Sequence, residues 1–279
     1  MIVAAVAWQE LSPASKQRVA KLLKLNPSYA VWTDGIPTSE QAHIAFVRAA
    51  TWSDMIKGDH AYQNDRISQS GPAASQNVGY SDHLQHRYWH FVDLPFSSDG
   101  TPVENPESPN ARTQIEAFAL ALKSNASNDV KSYDLAWLEH LVGDVHQPLH
   151  ATSRFSAGAP RGDRGGNSVR LCFEANCRWE LHGLWDDALG DEDDTQKAIA
   201  TAATLPSVPN DLAAISDDRI WLQESLTIAK NSVYTAPVLG GLGPYTITPQ
   251  YADAMRSIAR GRVVLAGRRL AALINTNLR

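Results

Sequence analysis

The chain has 279 residues, 43% of them hydrophobic and 20% charged. That is enough for a sizeable core, and the mixture argues against a disordered segment or a coiled coil. Against 25 Lys and Arg stand 30 Asp and Glu, a formal charge of −5. The chain as a whole therefore offers no basic footprint of the kind that holds nucleic acid by counterion release, and any phosphate chemistry must take its positive charge from a local source. No apolar run approaches the ~18 residues of a membrane span, so the protein is expected to be soluble.

The opening Met1-Ile2-Val3-Ala4-Ala5-Val6-Ala7 has no basic start and is soon interrupted by Trp8-Gln9-Glu10. It reads as a first core helix and not as a signal peptide. Ser12-Pro13 makes an N-cap and first-turn pair, Val19, Leu22 and Leu23 follow at helical spacing, and Asn26-Pro27 stops the helix. Residues 44–55 lack turn formers and read as one helix, whereas 58–82 is rich in Ser, Asn, Gln and Gly and reads as a long surface loop. The Pro/Ser/Asn stretch 95–110 is excluded from regular structure, and helix resumes over 113–123.

Over residues 133–145, Leu135, Leu138, Leu141, Val142 and Val145 mark one buried stripe of a central helix, which Pro148 forces to end near Gln147. A Gly/Arg-rich loop over 154–167 leads to the one hairpin, 169–179, and to helix over 181–189. After a Pro/Gly-rich passage from 234 to 251, Met255, Ile258, Leu265 and Ala272 line a closing helix. With no internal repeat and no linker between two cores, the expected architecture is all-α: a single compact helical domain spanning 1–279 with one small β-hairpin.

Cys172 and Cys177, the only cysteines, flank Phe173-Glu174-Ala175-Asn176, where a hairpin turn would bring them together. A disulfide, and with it an oxidising compartment, is expected; two buried free thiols are the alternative.

His140 and Asp144 are four apart on the central helix, so they share a face and lie about 6 Å apart along the axis. His182 and Asp186 repeat that spacing, His150 follows on the turn after Pro148, and Asp54 and His90 complete the ligand-type residues. A single histidine among apolar neighbours is more often a satisfied core residue, a reading weakened when two segments repeat His-x-x-x-Asp. Imidazole with carboxylate suits zinc, whereas a set of carboxylates alone would have favoured magnesium or calcium.

These segments, Trp52-Ser53-Asp54, Trp89-His90-Phe91-Val92-Asp93, His140-Leu141-Val142-Gly143-Asp144-Val145-His146-Gln147-Pro148-Leu149-His150, Gly165-Gly166-Asn167 and Leu181-His182-Gly183-Leu184-Trp185-Asp186, resemble the ordered motifs of the three-zinc, single-strand-preferring nucleases of fungi, plants and bacteria. The resemblance implies that Asp54, His90, His140 and Asp144 hold one zinc, that Asp144 bridges to a second, and that His150, His182 and Asp186 hold a third. In such a site two zincs roughly 3.5–4 Å apart activate hydroxide for in-line attack on phosphorus, and the third stabilises the departing 3′-oxygen, leaving a 5′-phosphate. Three divalent ions also bring about six positive charges to the phosphate, which removes the objection from net charge.

By the same resemblance Asp54, Lys57 and Asp144 are the catalytic residues, Lys57 meeting the phosphate as it gains charge. Its alternative is a solvated lysine. Phe91 resembles the base-stacking aromatic, and Asn167, with its two glycines, shapes the cleft near the substrate; a core phenylalanine and an ordinary loop turn are the alternatives. His146 matches no ligand position and is expected behind the ligands or exposed.

The expected protein is thus a zinc-dependent endonuclease for single-stranded DNA and RNA, with nucleotides among its substrates and 3′-nucleotidase activity. It is expected to be secreted or periplasmic, with no membrane and no obligate protein partner. In the family an amino-terminal Trp and a nearby His complete the second zinc site, and Met1-Ile2-Val3-Ala4 matches the segment directly after that His. The sequence is accordingly expected to be truncated at its amino terminus relative to the family, with two well-formed zinc sites. Two other readings remain: a zinc phospholipase C, a structural cousin that resembles His-x-x-x-Glu where this chain has His182 and Asp186, and a zinc-stabilised helical domain that has lost catalysis.

Overall fold

The computed structural model describes residues 1–65, 71–173, 176–190 and 194–278. The amino-terminal part is helical: α1 (Ile2–Glu10), α2 (Pro13–Leu23), α3 (Tyr29–Trp32), α4 (Thr38–Ala49) and α5 (Trp52–Met55). Ser12 caps α2 by accepting from the Ser15 amide, with Pro13 in the first turn. The helix expected over 44–55 is two helices. It begins earlier, at Thr38, and breaks after Ala49, where the Asp54 amide bonds to Thr51 O at 3.1 Å. The loop expected over 58–82 is partly interior, with Ala74, Gly79 and Asp82 buried; its residues 66–70 lie outside the described residues.

Strand β1 (Leu94–Ser97) pairs in parallel with β2 (Thr152–Phe155), Leu94 opposite Thr152. This corrects two expectations, an irregular 95–110 and a loop from 154. Pro95 is tolerated because a two-stranded sheet consists of edges, where a missing amide need not break a ladder. Between these strands run α6 (Ala111–Lys123) and α7 (Asn128–Asp144). Every residue of α7 from Lys131 to Val142 is buried, so the expected single stripe is instead a helix enclosed all round, packed by α1, α2, α4, α5, α6 and α12.

The hairpin is present as β3 (Arg170–Phe173) and β4 (Asn176–Glu180), joined by the Cys172–Cys177 disulfide and leading straight into α8 (Leu181–Asp186). Three further helices, α9 (Thr195–Ala202), α10 (Asn210–Ala213) and α11 (Asp218–Ile228), occupy a region to which the sequence pattern assigned nothing. Strand β5 (Tyr245–Thr246) adds to β3 in parallel, and α12 (Pro249–Asn277) closes the fold. The 29 residues of α12 run about 44 Å. Gly267 lets α1 lie against it: a Cβ there would meet Val6 side-chain atoms at 2.6 Å and the Val3 carbonyl at 2.8 Å. The fold is mainly helical with small β elements, as expected, although the hairpin is not its only sheet structure.

One buried acid of α7 has a measurable consequence. Asp134 is fully buried, accepts one hydrogen bond from Asn77 Nδ2 at 2.9 Å, and leaves Oδ1 without a partner among the described residues. Burial raises its pKa to about 8. The folded chain therefore keeps a proton that the unfolded chain releases between about pH 4 and pH 8, and stability contributed here falls as pH rises through that window. Asp134→Asn removes the penalty. Its unfolding free energy relative to the parent should rise from pH 4.5 to pH 8 by up to ~5 kcal/mol, read by urea denaturation; parallel pH profiles would show that Asp134 titrates normally.

Candidate metal centre

Four segments converge at the carboxyl end of α7. The helix itself supplies His140 and Asp144. The break between α4 and α5 exposes the Ala50 carbonyl, which accepts from His140 Nδ1 at 2.8 Å, and α5 then carries Asp54. The turn Arg87–His90 and the turn Pro148–Ala151 are stitched by two bonds: the Val92 amide donates to His150 O, and His150 Nδ1 to His90 O, both at 2.8 Å. The hairpin and α8 bring His182 and Asp186, with His182 Nδ1 donating to Gly165 O at 2.8 Å. Three of the four imidazoles thus have one nitrogen fixed by a carbonyl and the other free to face the centre, the arrangement that orients metal-ligating histidines.

The turn that carries His90 is held from beneath by His86, buried and in the left-handed region at φ 43°. Its Nε2 lies 2.8 Å from Asp82 and its Nδ1 3.1 Å from Asp65, and its ring stacks on Trp89 with centroids 3.5 Å apart. Burial opposes protonation, but bonds to the two carboxylates outweigh it and raise the pKa.

In the first cluster His90 Nδ1 and His140 Nε2 are 2.9 Å apart, and Asp54 oxygens lie 3.7 and 3.6 Å from them. In the second, His150 Nε2 and His182 Nε2 are 3.1 Å apart, with Asp186 oxygens at 3.3 and 3.4 Å. Ligands held at about 2.0–2.1 Å in a tetrahedron stand about 3.3 Å from one another, so both sets have the spacing of a zinc shell. Asp144 Oδ2 lies between the clusters, 3.3, 3.0 and 3.7 Å from His90, His140 and His150. It is buried and makes no hydrogen bond among the described residues, an acceptor that a cation would satisfy.

The charge states suit that use. Burial pushes Asp144 up, but His140 and His150 hold it well below the carboxylate range. Burial likewise works against Asp54, which His140, His90 and Lys57 bring down to about 2. Among the imidazoles, burial pushes His90 down to about 4, whereas for His150 Asp144 and Asp186 outweigh burial and raise it to about 10. Protons and a divalent cation compete for these same nitrogen lone pairs.

Both clusters open into one cavity of about 860 Å³, which Lys57, Phe91 and Asn167 also border. Lys57 is paired with Asp54. Phe91 is half-buried against the core, and Asn167 Nδ2 donates to Arg164 O at 2.8 Å. His146 is neither exposed nor at the centre. It is buried, with Nδ1 on Val142 O and Nε2 accepting from Arg269, because burial and two arginines hold it neutral. Among the cavity residues with no role in the sequence reading are two acids, Asp93 and Glu139. Asp93 is raised to about 6 by burial and by Asp163, and Glu139 is buried with both oxygens unpartnered among the described residues. Asp93 lies inside the motif Trp89-His90-Phe91-Val92-Asp93; Glu139 is visible only as a charge beside the apolar positions of the central helix.

A mainly helical scaffold that presents two imidazole–carboxylate clusters to one cavity defines a protein with a candidate multinuclear metal centre. The sequence profile of the S1/P1 nuclease family matches residues 1–279, and the chain belongs to that family, whose members are zinc-dependent hydrolases of phosphodiester bonds. Endonuclease 3 of Arabidopsis thaliana is 26% identical to it over 175 residues, 53% of this chain and 55% of the relative. The chain thus spans about half the length of that curated relative.

Gly165 provides a test of the second cluster that leaves every ligand in place. At φ +59° it approaches so closely that a Cβ would stand 2.3 Å from Leu149 O and 3.4 Å from His182 Nδ1. Gly165→Ala must therefore shift the carbonyl that aims His182. Zinc bound per chain, counted by atomic emission after dialysis, should fall by about one ion, with affinity at the affected site down ~10–100-fold. Unchanged stoichiometry and affinity would mean that the Gly165 carbonyl does not orient a ligand.

Proposed function

We propose that residues 1–279 act as a single nuclease domain, a zinc-dependent endonuclease that cleaves phosphodiester bonds of single-stranded DNA and RNA and leaves 5′-phosphates, with 3′-nucleotidase activity on nucleotides. The observation that supports this most is the position of Asp144, its Oδ2 within 3.7 Å of imidazoles from both clusters. Asp54, His90, His140 and Asp144 would hold one ion and His150, His182 and Asp186 another, with Asp144 reaching a further ion between them. Zinc bound there supplies Lewis-acid charge against the phosphate and acidifies the attacking water.

The chain's own groups do the rest. Lys57, already beside Asp54, turns its ammonium to the phosphate as charge builds on it. Phe91 borders the cavity, where its ring would stack on whichever base arrives, which requires no sequence preference. Asn167 and Gly165 border the same cavity and limit the approach of the strand. The hairpin disulfide fits an oxidising compartment, secreted or periplasmic.

The test is hydrolysis of a single-stranded oligonucleotide, of a 3′-mononucleotide and of phosphatidylcholine by zinc-loaded protein, with and without a chelator. Turnover of the first two, abolished by chelation, with 5′-phosphate ends, is expected. Asp144→Asn should cost more than Asp186→Asn, and more than the ~10–100-fold lost with a group that merely orients a ligand. Preferential hydrolysis of the phospholipid, or zinc uptake with no turnover, would overturn the proposal; equal residual activity of the two variants would remove the bridging role of Asp144.

A further inference from the structure

A second cavity, of about 390 Å³, lies on the other side of the segment that carries Asp54. Met55, Ile56, Gly58 and Asp59 line it, whereas Asp54 and Lys57 line the main cavity. Helix α5 and the turn after it are thus a ridge between two hollows. The main cavity holds the ligand-type groups; the second has four aromatic rings in its lining. Trp52 forms its floor, Tyr62 and Tyr80 stand edge-on to Trp52 at 6.0 and 5.6 Å, and the exposed His83 packs against Tyr62 at 5.8 Å.

Two cations stand on or beside the ridge, which also carries Asp54, the ion-pair partner of Lys57, and Asp59. Lys57 projects from it, and Arg87, which also borders the main cavity, donates to the Lys57 carbonyl at 3.4 Å. Metal-ligand groups, then two cations, then an aromatic hollow make the order of groups that tracks a nucleic acid strand: phosphates over the cations, a base on the rings. The ridge is one helix thick, about 10 Å, so a strand held at Lys57 has its neighbouring nucleotide within reach of the hollow. Asp59 at the rim accepts the Ala61 amide with Oδ1, and its other oxygen can accept from the exocyclic amine of a base.

We infer that the hollow bounded by Tyr62, His83 and Asp59 is a nucleobase subsite, which takes a base of the same single strand next to the nucleotide being cleaved. The inference rests on the nuclease reading and deepens it, and it is separable from it by experiment. A fluorescent single-stranded oligonucleotide with non-cleavable linkages is titrated against the zinc-loaded protein and its anisotropy followed. In parallel, KM is measured for a cleavable oligonucleotide and for a 3′-mononucleotide, which cannot span the ridge.

Tyr62→Leu, which keeps apolar packing on Trp52 but removes the ring, should raise the oligonucleotide Kd and KM about tenfold or more, the loss expected for one stacked base. Tyr62→Phe should restore both, His83→Ala should show part of the loss, and KM for the mononucleotide should not move in any of them. An unchanged oligonucleotide Kd in Tyr62→Leu and His83→Ala overturns the subsite. So does an equal rise for the mononucleotide, which would place the damage in the main cavity. A parent protein that binds the oligonucleotide without cleaving it refutes the nuclease reading, and the Kd comparison still decides the subsite.

Discussion

The structure depends on keeping one carboxylate ionised where water hardly reaches it. The Asp144 side chain is only 12% exposed, and an enclosed charge is tolerated only when opposite charge and hydrogen-bond donors are built around it. His140 comes from the same helix and His150 from the turn just after it, but His90 comes from a turn some 50 residues earlier in the chain. The β1–β2 pairing, the Val92 amide on the His150 carbonyl and the His150 imidazole on the His90 carbonyl bring those two turns together. Even the interruption after α4 belongs to this arrangement, because a continuous helix would have used the Ala50 carbonyl internally.

Support for Asp144 also comes from the interior side, at the residues that directly follow it. Ser225 of α11 donates to the Val145 carbonyl at 2.7 Å, and Arg262 of α12 to that of His146 at 3.0 Å. Glu224 in turn binds Arg262 and Arg269. Carbonyls at a helix end lack intrahelical partners, and at the cap residue Val145 and the next residue, His146, side chains 80 and 116 positions away supply them. The end of the helix, and so the direction of Asp144, is fixed from both the cavity side and the interior side.

These two kinds of support explain what was legible in the sequence. The repeated His-x-x-x-Asp pairs could be read because a helix converts a spacing of four into a shared face, and the caps at Ser12-Pro13 were equally local. The break after Ala49 could not be read, since Ala50-Thr51 carries no breaker and the reason for it is His140, 90 residues on. Strand β1 was hidden by Pro95 and by a partner 58 residues away. The encirclement of α7 was hidden because apolar periodicity reports one face, while Ser132, Asp134 and Glu139 are buried on the others. Helices α9 to α11 were missed: they are short, and their sequence gives little pattern beyond caps such as Asp194 and Asp217.

The parallel pairing of β1 with β2 also dictates an order of events. Parallel neighbours need a long crossover, and here the crossover contains α6 and the whole of α7, so the two turns meet across that helical pair. Long-range pairings of this kind form slowly, because loop-closure entropy is lost before any contact compensates. A chain emerging from the ribosome folds from its amino-terminal end, yet the ligand-type residues run from Asp54 to Asp186. The first helices can therefore pack before either cluster exists; the first cluster is complete once α7 has been made, and the second only with the last turn of α8.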